Sequence, residues 1–308
     1  MAGKGLRETL VSHLECNTLN RNLILKPTRD FNIQQTYKSL VKLKEVSTDE
    51  IDHWKKRIHK AQISSDNIKI KKVVGAGSLQ KGFPRMHNGL VIDPLSYYRA
   101  PMLRLLMENA SVHEPQEKYV FQEVLKCMKP GATMLQLGCY RGFYSMWFAS
   151  TVQNPKNYLI DNIDRITRAK ANFKLNKLNA HFIEGYIGKD NASSEITNTN
   201  VDRICKENGI RFLDILHADI QGSEHEMLET MPEMVANRNI GFIFISSHSQ
   251  ELHYGCISWL ESNGYKILYH SVIGKSFSEE GFIVAKDPNY IGPESFNISQ
   301  FGEKRYKS

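Results

Sequence analysis

The sequence predicts an α/β protein: a doubly wound, mostly parallel sheet closed by an antiparallel strand, preceded by a helical N-terminal region. Three observations indicate this fold class. From Glu114 onward, apolar strand-like runs alternate strictly with helical runs, which is typical of right-handed crossovers and a parallel sheet with helices on both faces. Two apolar runs at 265–270 and 280–287 then follow each other and predict the closing strands. Before Glu114, the apolar residues recur at helical spacing instead.

The residue pattern of the N-terminal region predicts a helical hairpin. Helical spacing predicts a helix over 33–46, and the capping sequence STDE at 47–50 starts a second helix that runs to about Gln62. The alternating run IKIKKVV at 68–74 predicts a strand that leads into the glycine turn of VVGAGS. A strand before Gly-x-Gly can begin a nucleotide-binding loop, but Pro84 follows too soon for the required helix, so we assign this turn no such role.

The core pattern supplies the remaining helices and strands. In chain order they are helix 116–128, strand 133–138, helix 144–150, strand 157–161, helix 165–178, strand 180–185, helix 200–209, strand 212–219, helix 223–231, strand 240–248 and helix 253–264. The residues after Pro288 are polar and rich in Gly and Asn, which predicts a loosely held end. We therefore expect a helical region at 1–110, a core domain at 111–290 and a tail at 291–308.

Composition argues against several classes of protein. The net charge of +7 comes from residues 1–100, which carry 18 Lys and Arg against 9 Asp and Glu. Such a region can attract nucleic acid, anionic lipid or an anionic glycan, although a mildly basic face is more often plain solvated surface. The five cysteines are scattered and never form a CxxC pair, which argues against a disulfide framework and structural zinc. No apolar stretch approaches the roughly 20 residues of a membrane helix, and no apolar h-region follows the N-terminal charges, so we expect a cytoplasmic protein without a membrane span.

Residues at the carboxyl ends of parallel strands can reach a common ligand. The candidates after the first three strands are Gly138, Tyr140, Gly142, Asp161, Glu184, Gly185 and Tyr186. Asp161 lies about 20 residues past the glycine turn, where an acid can accept hydrogen bonds from both hydroxyls of a ribose. Asp164 is the alternative, and its ordinary interpretation is a helix N-cap before Arg165.

The glycine turn predicts which nucleoside binds. The spacing of Gly138 and Gly142 is not Gly-x-Gly-x-x-Gly, and Tyr140 puts a bulky side chain where a pyrophosphate needs bare backbone. An adenosine without phosphates fits better. S-adenosylmethionine (SAM) has such a nucleoside, together with a methionine tail that can pass over the turn, so SAM is the predicted cofactor.

The fourth strand carries a family resemblance. The segment LDILHADIQGSEHEMLETM, residues 213–231, ends its strand at Asp219, turns at Gly222 and begins a helix at Ser223 and Glu224. It resembles the FkbM-type SAM-dependent methyltransferases, in which an aspartate, two residues, a glycine, a small residue and a glutamate precede a helix. GATMLQLGCYRGFYSMWF is similar to the first motif of that family, ANFKLNKLN to its Asn-rich helix and IFISSHS to its fifth strand. The resemblance covers about residues 111–287 and implies a Rossmann-like methyltransferase sheet.

Two features depart from the family pattern. The family usually has an acid at the position of Gln136, where it helps to hold the amino group of SAM; Gln136 can form a hydrogen bond but lacks the charge. The prolines and the aromatic residue of the N-methyltransferase signature are absent after Asp219. Amine and nucleobase acceptors are therefore disfavoured, and we expect a hydroxyl acceptor.

Methyl transfer to a hydroxyl requires alignment and a group that takes the hydroxyl proton. His248, at the end of the fifth strand, is the predicted base. His217 is a second candidate because it lies two residues before Asp219, on the same face, although strand histidines are more often structural. Asp219 could orient His248, contact the acceptor or bind a divalent metal with it. Glu224 and His253 could complete that metal site, but helix-dipole compensation is the better explanation of Glu224.

Residues upstream of the core are candidate acceptor contacts. Tyr97 and Tyr98 could stack on a sugar face, although core packing explains them equally well. His113 and Glu114 flank a helix that, in similar proteins, covers the SAM pocket.

Together these features predict a SAM-dependent O-methyltransferase that acts on a sugar or glycan hydroxyl, an acceptor common among FkbM-type relatives. A natural-product hydroxyl, an RNA ribose hydroxyl, or a catalytically degenerate SAM-binding protein are the alternatives. The expected partner is a small-molecule or glycan acceptor; nucleic acid is disfavoured, and homo-oligomer formation is left open.

Overall fold

The computed structural model describes residues 48–96, 100–188 and 198–302. The chain divides into two compact units. The N-terminal unit holds residues up to Ile63 together with Lys71–His113, and the C-terminal unit holds Ser64–Ile70 and the residues from Glu114 onward. The helix predicted over 33–46 lies outside the described residues.

In its described residues, the N-terminal unit contains two helices and a short hairpin. Its elements are helix α1 (Thr48–Ile63), strand β1 (Leu79–Gln80), strand β2 (Phe83–Pro84), a 3₁₀ turn at Pro94–Ser96 and helix α2 (Ala100–Glu108). Just after α2, the side-chain amide of Asn109 donates a hydrogen bond of 3.2 Å to the backbone carbonyl of Ile58 in α1, which ties the two helices together. Helix α1 confirms the second helix that was predicted from the capping sequence at 47–50.

The prediction of a strand at 68–74 is wrong. Asn67–Lys69 form a 3₁₀ turn, and no strand follows before β1. The alternating apolar residues share no buried face, because Ile70 is buried whereas Ile68 and Val74 are 85% and 93% exposed. Alternation produces a strand only where one face packs against a neighbour. The glycine turn at 75–78 leads into the β1–β2 hairpin, and no helix follows it directly.

The C-terminal unit is built on a seven-stranded sheet. Its strands, with a separate short pair β6–β7, are β3 (Thr133–Leu137), β4 (Lys156–Asp161), β5 (His181–Glu184), β6 (Tyr186–Ile187), β7 (Asn198–Thr199), β8 (Leu213–Ala218), β9 (Ile240–Ser247), β10 (Lys266–Ser271) and β11 (Gly281–Lys286). The strand order is β5, β4, β3, β8, β9, β11, β10. β11 runs in the opposite direction to the other six strands of this sheet. The predicted mostly parallel sheet with an antiparallel closing strand is confirmed.

Helices cover both faces of this sheet. They are α3 (Pro115–Leu125), α4 (Phe143–Thr151), α5 (Ile163–Leu175), α6 (Val201–Glu207), α7 (Glu224–Glu229), α8 (Pro232–Ala236) and α9 (Gln250–Ser262). On one face Phe121 of α3 packs against Phe244 of β9, with ring centroids 5.6 Å apart, and Phe173 of α5 packs against Phe182 of β5. On the other face, apolar residues of α6 to α9 form one buried cluster with Leu216 and other strand residues. No helix in the described ranges is both long enough and apolar enough to cross a membrane.

The described end of the C-terminal tail, at residues 299–302, is not loosely held as we expected. The backbone N–H and the hydroxyl of Ser299 both donate to the carboxylate of Asp66, at 3.0 and 2.6 Å. The side-chain amide of Gln116 in α3 donates to the Ser299 carbonyl at 2.7 Å, and Phe301 packs edge-on against Phe277. Asp66 is fully buried, so these hydrogen bonds satisfy a carboxylate that would be costly to bury alone.

Candidate active site

The turn after β3 lies directly against the end of β8. Gly138 has a φ of +68°, and a Cβ at this position would lie only 1.8 Å from the carbonyl oxygen of Asp219. The backbone N–H of Asp219 donates to the carbonyl of Leu137 at 3.0 Å. Only glycine permits this close approach. The predicted cofactor loop and Asp219 are therefore neighbours.

The carboxylate of Asp161 ties this turn to the end of β4. It accepts a hydrogen bond of 2.9 Å from the backbone N–H of Tyr140, which has a φ of +49°, and one of 2.8 Å from that of Asn162. Asn162 also caps α5, since its side-chain oxygen accepts the N–H of Arg165 at 3.1 Å. Asp164 is therefore not the N-cap of α5, which was its alternative interpretation. Its exposed carboxylate pairs instead with Arg168 on the surface of α5.

The residues that follow β5 lie at the same edge of the sheet. Glu184 is in register with Asp161 in the parallel β4–β5 pair, and both residues end their strands. The N–H of Gly185 donates to the carbonyl of Asp161 at 3.1 Å, and Tyr186 is 45% exposed. The structure thus brings these predicted cofactor residues together with the glycine turn.

Gln136 has a structural contact that the sequence did not suggest. Its side chain is 3% exposed, and its Oε1 accepts the backbone N–H of Ser145 at 3.2 Å in the first turn of α4. The amide oxygen that we expected to face the cofactor is therefore engaged inside the protein. Gly142 caps the same helix with a φ of +74°, where a Cβ would lie 3.0 Å from the ring of Phe173.

His217 lies in the interior beneath helix α3. It is 2% exposed, and its Nε2 forms a hydrogen bond of 2.7 Å with Oε1 of Glu117. Its ring stacks on Phe244 at a centroid distance of 5.9 Å. A base must reach the acceptor, and the enclosed position of His217 argues against that role.

Glu114 and Lys118 lie beside the start of α4. The hydroxyl of Tyr144 donates to Glu114 at 2.9 Å, and Nζ of the fully buried Lys118 lies 3.9 Å from the same carboxylate and 4.3 Å from the ring centroid of Phe143. Burial lowers the pKa of Lys118, and the negative charges of Glu114 and Glu117 oppose that shift. Burial, reinforced by the same two carboxylates, raises the pKa of Tyr144.

The predicted acceptor contacts are only partly described. His113 belongs to the N-terminal unit, whereas Glu114 belongs to the C-terminal unit. Tyr97 and Tyr98 lie outside the described residues.

His248 is the centre of a polar cluster at the carboxyl ends of β8 and β9. Its Nδ1 lies 2.9 Å from Oε1 of Glu224. Its Nε2 lies 3.4 Å from Oδ1 of Asp219 and 3.5 Å from Oε1 of Glu280, which immediately precedes β11. The side-chain amide nitrogen of Gln221 is 2.8 Å from the same ring nitrogen. Within the described ranges, only one group of three His, Cys, Asp or Glu residues has ligand atoms close enough together to bind a metal ion. It consists of Asp219, His248 and Glu280.

Glu224 shapes the turn that carries Asp219. Its side chain is fully buried, and Oε1 accepts backbone N–H groups from Ile220 at 3.3 Å and Gly222 at 3.1 Å. Glu224 therefore caps the turn before α7. His253, the other expected metal ligand, lies elsewhere: its ring nitrogens contact Ser247 and His270 at 2.7 and 3.2 Å.

The electrostatics of the cluster change the role expected of His248. Burial by itself would lower the pKa of His248. The hydrogen bonds to Glu224 and Glu280, together with the negative charges of these residues, outweigh burial and raise the pKa to about 10. Burial and the nearby charges of Glu280 and Glu114 raise the pKa of Asp219. A histidine with a pKa of about 10 keeps its proton at neutral pH, so this arrangement does not suit His248 as the general base.

Comparison with known proteins identifies the family. A family model described as the Methyltransferase FkbM domain matches residues 86–267, which is more than half of the chain. The chain belongs to the FkbM methyltransferase family. A comparison with curated proteins found no match.

Solved structures that resemble this FkbM methyltransferase are remote. Precorrin-6y C5,15-methyltransferase from Geobacter metallireducens is 14% identical, with 56% of this chain and 88% of that chain covered and a TM-score of 0.38. TrmK of M. capricolum, in complex with S-adenosyl-homocysteine, is 17% identical, with 56% and 69% covered and a TM-score of 0.37. Ribosomal protein L11 methylase from Lactobacillus delbrueckii is 12% identical, with 56% and 79% covered and a TM-score of 0.39.

Sequence reasoning about this FkbM methyltransferase missed Glu280. The residue lies beyond the matched range and more than sixty residues after Asp219. The available signal was the antiparallel β11, because the amino end of an antiparallel strand meets the carboxyl ends of its parallel neighbours. The acid directly before that strand was therefore a candidate for the same edge of the sheet.

Proposed function

We propose that this FkbM methyltransferase transfers the methyl group of SAM to a hydroxyl oxygen of a sugar or glycan. The observation that carries the proposal is the contact between Gly138 and the backbone of Asp219. It joins the turn expected to hold the cofactor to the polar cluster expected to hold the acceptor. Donor and acceptor sites must adjoin for in-line methyl transfer.

The residues around the turn suit a nucleoside without phosphates. Asp161 and Glu184 end neighbouring strands, and a carboxylate there can accept hydrogen bonds from ribose hydroxyls. Each Asp161 oxygen already accepts one backbone N–H, and a carboxylate has about four acceptor sites, so sites remain for a ribose. Tyr140 occupies the position where a pyrophosphate would need bare backbone.

The residues of the cluster suit a hydroxyl acceptor. The side chains of Asp219 and Glu280 are about a third exposed, at 30% and 29%, and carboxylates form strong hydrogen bonds with hydroxyl donors. The hydroxyl oxygen attacks the methyl carbon, the carbon–sulfur bond breaks, and its electron pair stays on sulfur, which leaves as neutral S-adenosylhomocysteine. We assign Asp219 as the group that accepts the hydroxyl proton, because its carboxylate adjoins the glycine turn. His248 is instead held by Glu224 through its Nδ1. The choice of a sugar follows from the acceptors common among FkbM-type relatives.

The test is transfer of labelled methyl groups. Purified protein would be incubated with methyl-labelled SAM and, separately, with glycan oligosaccharides, RNA and small amines, and the products analysed by mass spectrometry. We expect label on glycan hydroxyls. SAM binding, measured separately by calorimetry, should not need an acceptor. Label on RNA or amines alone, or SAM binding without transfer to any acceptor, would contradict the proposal.

A variant pair tests the assignment of Asp219. Asp219→Asn should slow methyl transfer by about 100-fold or more while SAM binding persists, because the proton acceptor is removed. Asp164→Asn is the matched control, since Asp164 is exposed on α5 away from the cluster. A fully active Asp219→Asn variant would remove Asp219 from this role.

A further inference from the structure

We propose that Asp219, His248 and Glu280 bind a divalent cation through one imidazole nitrogen and two carboxylate oxygens. The sequence suggested Asp219 and His248, which is half of a metal site, and the structure adds Glu280 as a third ligand. The inference deepens the proposed function, since the cation would lie at the acceptor end of the site. The site itself depends only on the geometry of these three side chains.

The three ligand atoms are close enough to share one ion. They lie within 4.8 Å of one another, and Nε2 of His248 is 3.4 Å from Asp219 and 3.5 Å from Glu280. Ligands that bind one metal ion at about 2.1 Å are separated by roughly 3 to 4 Å. Nε2 of His248 must give up its proton to bind a cation, and the observed separations otherwise need only small side-chain adjustments.

Glu224 provides a second, independent indication. A metal-binding histidine almost always donates its other ring N–H to a carboxylate or carbonyl, which fixes the ring and the tautomer. Here Nδ1 of His248 lies 2.9 Å from Glu224, whose carboxylate is fully buried and anchored by the backbone N–H groups of Ile220 and Gly222. The anchored carboxylate directs Nε2 toward Asp219 and Glu280.

The site is open and strongly negative. The side chains of Asp219, His248 and Glu280 are 30%, 18% and 29% exposed, so water or an acceptor oxygen can complete the coordination. Two ligand carboxylates, with Glu224 behind the histidine, concentrate negative charge that a dication would balance. Among the described residues, Gln221 is the side chain in contact with Nε2 that must turn away, and it is exposed and able to do so.

A cation at this position would serve hydroxyl methylation. Coordination of the acceptor oxygen by a Lewis acid lowers the pKa of the hydroxyl and orients it. One imidazole with two carboxylates suits Mn²⁺ and related first-row ions better than Ca²⁺, which prefers six to eight oxygen ligands. Mn²⁺ is therefore the probe of choice.

The experiment measures Mn²⁺ binding to the full chain without SAM or acceptor, by electron paramagnetic resonance titration. We expect one saturable site. Glu280→Gln should weaken it by at least about 100-fold, since loss of a supporting partner alone costs roughly 10- to 100-fold. Glu279→Gln is the matched control, because Glu279 is the exposed neighbour of Glu280 and should leave Mn²⁺ affinity unchanged. Asp219→Asn is the second ligand variant if Glu280→Gln folds poorly.

The outcomes separate this inference from the proposed function. Absence of saturable Mn²⁺ binding, or equal binding by wild type and both ligand variants, overturns the cation site. Methyl transfer that persists in a chelator would overturn the proposed role of the cation in the reaction but leave the methyltransferase proposal intact. Mn²⁺ binding without any methyl transfer would support the site and contradict the proposed function.

Discussion

Asp161 connects two elements through one carboxylate. Its Oδ2 accepts the N–H of Tyr140 in the glycine turn, and its Oδ1 accepts the N–H of Asn162 at the start of α5. The sequence placed an acid at this strand end but did not reveal that the same acid holds the turn. A change at Asp161 is therefore expected to disturb both the ribose contact and the shape of the turn.

We expect Asp161→Ala to weaken SAM affinity at least about tenfold, because a charged hydrogen bond contributes roughly 1.5 to 3 kcal/mol. Calorimetric titration with S-adenosylhomocysteine measures the change. Asp164→Ala is the control and should bind normally. Unaltered affinity in Asp161→Ala would remove the ribose assignment.

His217 and Gln136 show what single residues leave undecided. Their positions in β8 and β3 were predicted correctly, and both were expected to face a ligand. Their actual partners, Glu117 and Ser145, come from helices that cover the sheet. A side chain's type indicates what it can bind, whereas its neighbour in space depends on how those helices pack.

At the scale of elements, helix α3 is fastened to the sheet by polar contacts as well as by apolar packing. Glu117 accepts a hydrogen bond from Ser246 at 3.3 Å and pairs with His217 at 2.7 Å, all three being buried. Phe121, one turn later, packs against the same face. Removing the carboxylate leaves two buried polar groups without this partner.

Glu117→Met is expected to lower the free energy of unfolding by about 1 to 3 kcal/mol, the usual cost of an unsatisfied buried polar group. Glu117→Gln, which keeps a hydrogen-bonding oxygen, should lose less. Urea denaturation measures both. Glu123→Met on the same helix is the control, because Glu123 pairs with Lys126 at the exposed end. Equal stability of wild type and Glu117→Met would show that the pair contributes nothing to the docking of α3.

Strands of the sheet and the alternating run at 68–74 differ in whether long-range pairing supports the local pattern. β3, β4, β8 and β9 are mostly apolar runs that are largely buried by helices on both faces, so composition and alternation with helices identified them. The run at 68–74 also alternates, but it has no partner strand and two of its apolar residues are exposed. Local pattern predicts a strand only when long-range pairing supports it.

At the scale of the whole C-terminal unit, the tail forms hydrogen bonds with residues that are distant in the chain. Ser299 bonds to Asp66, 233 residues earlier, and to Gln116 in α3. Lys69 donates to the carbonyl of Asn297 at 2.8 Å. The tail therefore joins the segment 64–70 to the sheet domain.

Truncation after residue 296 is expected to lower the thermal midpoint by several degrees, since the buried Asp66 would lose two hydrogen bonds, each worth about 1.5 to 3 kcal/mol when a charged acceptor is involved. Circular dichroism melting measures the shift. Truncation after Gly302, which keeps these contacts, is the control and should melt at a higher temperature than the shorter chain. Identical melting of the two truncated chains would contradict a stabilising tail.

The sequence by itself determined the alternating α/β architecture, the glycine turn and the positions of Asp161, Asp219 and His248 at strand ends, because each depends on a short stretch of chain and on the regular geometry of parallel sheets. Tertiary structure alone decided that Glu280 joins Asp219 and His248, that His217 is enclosed by α3, and that the tail is held by Asp66. These contacts join residues far apart in the chain, and their distances follow from strand order and helix packing, which no local pattern encodes.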